Sequence, residues 1–259
     1  MRLNLVPASR GAQWVRQGIK TFARQPLALG GLFFLFIGLM SVLGLIPVIG
    51  QLISLVVLPA LTAGLLQATR HVDNQRFPMP KVLFVALTGS SAQRASVIKL
   101  GAYYALAFLL TLGVTLLIDG GEFARLYLVG GELNESTLQE SNIQLAAAVG
   151  TLLYIPLAVL FWHAPALVFW FNVAPAQAMF FSAMACWKNI GAIAVFVMSW
   201  GAVFLGLGLA VTMLSLALGN GFLQLVIMPL ALVLAAMVTV SVYFSVRDSF
   251  NDAPPPLRD

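Results

Sequence analysis

The feature that most constrains this chain is a series of apolar runs about as long as a bilayer is thick. From Leu27 to Ile46 there is no charge, and similar runs start near Gln51, Ala95, Ile143, Ile190 and Phe222. A helix needs roughly 20 such residues to cross the hydrocarbon. Of the 259 residues, 60% are hydrophobic and 9% charged, where a soluble domain carries about 25% charged residues. A soluble fold of this size cannot hide that much apolar surface, whereas lipid accepts it outward. The expected fold is therefore an all-α polytopic membrane protein of six transmembrane helices.

The connections fit that reading. Residues 9–24 place Trp14, Val15, Gly18, Ile19 and Phe22 on one helical face and Arg10, Arg16, Lys20 and Arg24 on the other, with Ser9 as a cap. This predicts an interfacial amphipathic helix that anchors the first span. Span one, 27–46, turns at Pro47-Val48-Ile49-Gly50 into span two, 51–68, with Pro59 inside it. Arg70, His71, Asp73 and Arg76 end that run, and 82–87 is too short to cross. Span three covers 95–118. Residues 119–142 set five acids against Arg125 and are expected to form an acidic external loop. Span four begins near Ile143, and its apolar character continues to Phe171 with a kink expected near Pro165. A second amphipathic helix is expected over 175–188, then span five at 190–218, a Gly219-Asn220-Gly221 turn, span six at 222–245, and a flexible tail over 248–259.

Thirteen of the 14 Lys and Arg fall on one side of a six-span arrangement, and only Arg125 falls on the other. The positive-inside rule then puts both termini in the cytoplasm. The five cations before residue 25, with no short apolar stretch and cleavage site, lead us to expect no cleaved leader. The net charge of +5 lies beside apolar runs, so anionic headgroups are the expected partner rather than nucleic acid.

The two ends of the chain share a pattern: amphipathic helix, basic residue, span, tight turn, span, arginine. Arg24, Gly50, Pro59 and Arg70 in residues 9–70 correspond to Lys188, Gly221, Pro229 and Arg247 in residues 175–247. This predicts a parallel internal repeat of two spans flanking a central pair over 95–171 within one membrane domain.

The stretch HAPALVFWFNVAPAQAMFFSAMACWKN, His163 to Asn189, with Pro165, Ala178, Ser182 and Asn189, resembles a block in little-characterised bacterial inner-membrane families. GIKTFARQP, Gly18 to Pro26, and VYFSVRDSF, Val242 to Phe250, resemble the start and end of such proteins. The overall resemblance is to an uncharacterised proteobacterial six-span inner-membrane family. That family is distantly similar to YciC-like proteins and to the membrane domain beside some glycerophosphodiester phosphodiesterases. The resemblance implies a bacterial inner membrane and no activity, because the catalytic domain of those phosphodiesterases has no counterpart here.

The chemistry in the sequence is sparse. No Asp or Glu falls inside the expected spans, which weakens an ion-coupled carrier. Polar span residues such as Gln51 and Gln224 have a plain explanation in interhelical hydrogen bonds. His163, beside Trp162 and Pro165, reads first as a satisfied interfacial histidine. These three are the candidates for an intramembrane polar site. Cys186 is the sole cysteine, and two histidines offer little for a metal. We expect no enzyme, no cofactor and no metal site. The expected role is a scaffold or accessory subunit that binds lipid or protein, with a protein partner or homo-oligomer in view. Its interface contacts would be Trp14, Arg16, Lys20, Arg24, Trp187 and Lys188. The alternative is a transporter or lipid-handling protein that uses a groove between the repeats.

Overall fold

The computed structural model describes residues 2–129 and 141–250. The remainder of the acidic loop, 130–140, and the tail from 251 lie outside the described residues. The helices are α1 (Arg10–Arg24), α2 (Pro26–Gly44), α3 (Ile49–Asp73), a 3₁₀ turn (Pro80–Phe84), α4 (Val85–Thr88), α5 (Ser91–Asp119), α6 (Glu122–Val129), α7 (Ser141–Phe161), α8 (Ala164–Phe171), α9 (Pro175–Lys188), α10 (Ile190–Leu218) and α11 (Asn220–Ser249). Among the described residues, six stretches are long and apolar enough to cross a membrane: α2, α3, α5, Asn142–Phe171, α10 and most of α11. The protein is an all-α, multi-pass membrane protein.

Several boundaries differ from those read in the sequence, each for a local reason. The second helix runs on through Arg70, His71 and Asp73, because Arg70 and His71 are buried within the protein and need not leave it. The stretch 82–87 buries Val82, Leu83 and Ala86 rather than lying on a surface. Residues 119–129 are not a loop. Gly120, in the left-handed conformation, donates its N–H to the Leu116 carbonyl at 3.1 Å and ends α5. The Asp119 carboxylate then accepts the Gly121 and Phe123 N–H groups, both at 2.8 Å, and starts α6. Ser9 gives α1 no side-chain cap.

The chain packs as two compact units. Unit 1 comprises residues 1–35, 64–83 and 184–259, and unit 2 comprises 36–63 and 84–183. In unit 1, α1 packs along α10 and α11, with Trp14, Phe196 and Phe244 fully buried. A Cβ at Gly64 would fall onto the Leu83 carbonyl, so α3 and the 3₁₀ turn touch backbone to backbone. In unit 2, α5 packs against α7, where Tyr104 meets the Phe161 ring edge-on at 5.0 Å. Gly101 lets α5 approach the Val56 carbonyl of α3. The α2–α3 turn holds Val48 at φ 60°, and its N–H donates to the Leu128 carbonyl at 3.0 Å, which ties the turn to α6. A Cβ at Gly206 of α10 would meet open space.

Candidate functional site

In unit 1 the polar chemistry gathers where α1 meets the last turns of α11. Two glycines permit the approach: a Cβ at Gly11 would fall onto the Ala192 carbonyl, and one at Gly18 onto the Ser241 hydroxyl. Between them Trp14 is fully buried. Its ring meets the Phe196 ring edge-on at 6.2 Å, and its N–H donates to Asp248 Oδ2 at 3.0 Å. The same oxygen lies 3.2 Å from Arg10 Nε, and Arg247 Nε donates to the other oxygen at 3.0 Å. The Asp248 side chain is 8% exposed, so its charge is tolerated because two guanidiniums and an indole meet it.

Arg247 extends the cluster. It reaches Asp73 at 3.3 Å and Gln17 Oε1 at 3.0 Å, and its guanidinium stands 4.8 Å from the centre of the Phe244 ring. Tyr243 donates its hydroxyl to Asp73 at 3.2 Å. The N-terminal segment is strapped over the same end. Leu3 pairs with Phe250 as an antiparallel bridge, and Asn4 donates to the Ser249 and Asp248 carbonyls at 2.8 and 2.9 Å. Asn189, between α9 and α10, accepts the Val6 N–H at 3.0 Å and donates to the Asn4 carbonyl at 3.0 Å.

The contacts expected at a membrane interface divide. Trp14 is not one of them, because α1 turns its apolar face onto α10 and α11 instead of lipid. Arg16, Lys20 and Arg24 are exposed, four residues apart, in one stripe along α1. Trp187 is 74% exposed beside an exposed Lys188. Small residues and Ser182 bury the inner side of α9, including Ala178, Ala185 and Cys186, while Phe180 faces out. Burial pushes the Cys186 thiol up to about 12.

In unit 2 the helix that begins at Ser141 breaks after Phe161, and α8 restarts at Ala164 with Pro165 in its first turn. The Ser182 hydroxyl, from α9, closes this break. It accepts the His163 backbone N–H at 2.9 Å and donates to the Val159 carbonyl at 2.8 Å. Gln93 Nε2 donates to the Phe169 carbonyl at 2.8 Å, fixing α8 to α5. The His163 side chain is fully buried. Gln51 is half-buried in the first turn of α3, whereas His163 stands at the break between α7 and α8. Gln224 is exposed and belongs to unit 1. Gln51 and His163 stand on different helices, one half-buried and the other fully buried. Tyr127 of α6 meets the Phe108 ring at 4.7 Å with the two planes tilted by 45°, and burial, reinforced by Tyr154, raises its phenol pKa.

The chain is similar to a probable inner membrane protein of Burkholderia thailandensis, 34% identical over 261 residues that cover 98% of this chain and 96% of the relative. It belongs to that protein's family. No family model matches the chain, and no solved structure matches it. This relationship supports an inner-membrane protein family and does not extend to the YciC-like proteins or to the phosphodiesterase-associated membrane domain.

Proposed function

We propose that this chain is a multi-pass protein of a bacterial inner membrane, with both termini in the cytoplasm. It acts there as a non-enzymatic scaffold or accessory subunit that binds lipid or protein. The observation that carries this reading is the construction of α1. Its apolar face is consumed by α10 and α11, and its last turn leads directly into the first span, so Arg16, Lys20 and Arg24 are held as a fixed basic ridge. A ridge of this kind suits anionic headgroups or an acidic partner surface, and its rigidity lowers the ordering cost of binding. The family relative supports the membrane, and the charge asymmetry supports the orientation.

Transport has less support. A carrier needs polar groups converging near mid-membrane, and Gln51 and His163 lie at opposite ends of their spans.

Affinity purification of the full chain tests the proposal. A protein partner in stoichiometric amount, or a tightly held lipid, is expected, and it should be lost when Arg16, Lys20 and Arg24 are all changed to Gln. A clean monomer carrying neither would refute it. A reporter fused at residue 130 should read as external, and a cytoplasmic signal there would overturn the orientation.

A further inference from the structure

We propose that unit 2 binds one anionic phospholipid, with an acyl chain in an apolar groove between α5 and α9 and its phosphate on Lys99. The site goes beyond the basic ridge of α1, which belongs to the other unit. The groove encloses about 500 Å³ and is walled by Tyr103, Leu106 and Leu110 of α5, Leu160 of α7, and Met179 and Phe180 of α9. That volume lies in the range of small-molecule sites, roughly 300–1,000 Å³.

Its depth and polarity both indicate a lipid. Residues 100–118 of α5 carry no charge, and at 1.5 Å per residue they span about 28 Å, close to the hydrocarbon thickness. Lys99 therefore stands at the hydrocarbon boundary, and Tyr103 lies one turn inside it. The wall from Tyr103 to Leu110 descends about 10 Å toward mid-membrane. The Lys99 ammonium is 5.9 Å from the centre of the Tyr103 ring, which places the cation beside the first residue of the groove's α5 wall. Leu106 and Leu110 are 58% and 63% exposed, which leaves the groove open to bilayer lipid.

Lipid tails are as apolar as leucine, so the groove alone cannot favour one lipid over another. It fixes a chain by shape, and Lys99 supplies the choice of headgroup. A single lysine near a membrane surface favours an anionic headgroup by about five-fold.

Native mass spectrometry of the full chain with equimolar phosphatidylglycerol and phosphatidylcholine of matched chains tests this. One retained phosphatidylglycerol is expected, preferred about five-fold. Lys99→Gln, at an exposed position, should bring the two lipids to parity. Ala107→Trp, which fills the groove, should release both; Ala183→Leu serves if that variant does not fold. The proposal falls if the wild type shows parity, if Lys99→Gln keeps the preference, or if the groove retains a second copy of the chain instead of lipid. Loss of the preference only on neutralising Arg16, Lys20 and Arg24 would also overturn it, yet leave the proposed function standing. Absence of any partner at the ridge, with this lipid retained, would do the reverse.

Discussion

The Trp14 indole donates its N–H to the Asp248 carboxylate at 3.0 Å, joining side chains 234 positions apart. Arg10 and Arg247 hold the same carboxylate, so the first helix is latched to the last by a partly buried ion cluster. The latch contributes more by specifying where α1 docks than by net stability, because desolvating the charges offsets much of their attraction.

Removing one side of that latch is therefore costly. Trp14→Phe keeps most of the packing and loses a hydrogen bond to a charged group, for which we expect about 1.5–3 kcal/mol. Asp248→Ala leaves two guanidiniums without their carboxylate. Because Arg10 is 40% exposed and Arg247 35%, the loss should fall below the roughly 3–5 kcal/mol of breaking a fully buried pair. Thermal unfolding in detergent measures both. An unchanged midpoint for Asp248→Ala would show that the cluster does not hold α1.

The Gly18–Ser241 contact supplies a steric test of the same docking. Gly18→Ala places a methyl group on the Ser241 side chain, and overpacking of this kind costs about 1–3 kcal/mol. Ser241→Gly should return part of that loss in the double variant, because it removes the hydroxyl and Cβ but leaves the Ser241 Cα 2.8 Å from the added carbon. Proteolysis within residues 10–24 should rise in Gly18→Ala alone. Equal losses with no coupling would mean that α1 adjusts without contacting α11.

The spans were readable because each depends on local composition: a charge-free run such as 27–46 has few other outcomes. The docking of α1 was not readable, because an amphipathic pattern does not say whether its apolar face meets lipid or protein. A usable signal existed, since Gly11 and Gly18 lie seven residues apart on the apolar face, where bare backbone invites a second helix. The Asp248 cluster joins the two ends of the chain, and no local pattern encodes such a pair. Helix α6 was hidden by the acidic character of its segment, although Asp119 ahead of Glu122 is a helix-start signal. Ser182 was visible only as part of a resemblance, and its role depends on a helix break that proline spacing placed only roughly.

That serine allows a sharper test. The Ser182 hydroxyl satisfies the His163 N–H and the Val159 carbonyl together. Ser182→Ala removes one hydrogen-bond partner from each group, which we expect to cost about 1–3 kcal/mol in all. The His163 amide should exchange its hydrogen faster, while amides in mid-α5 keep their rate. Uniform acceleration across unit 2 would mean that the serine acts through general packing and not through the break.

Cys186 gives the pH-dependent expectation. Burial, with the residue 5% exposed, raises its thiol to about 12 from an ordinary value near 9. The thiolate is the reactive form, so burial leaves far less of it at neutral pH than an ordinary cysteine has. Maleimide labelling of the folded protein should be much slower than that of the unfolded chain. For stability, the unfolded chain releases this proton near pH 9 and the folded chain only near 12, so above pH 9 the unfolded state binds fewer protons. Stability should then decline between pH 9 and 12, and the thiol should add no slope below 9. Cys186→Ala should remove that part of the decline. A wild type that labels at the rate of a free thiol at pH 7, with its unfolding midpoint unmoved, would place Cys186 on the surface and refute the packing of the inner side of α9.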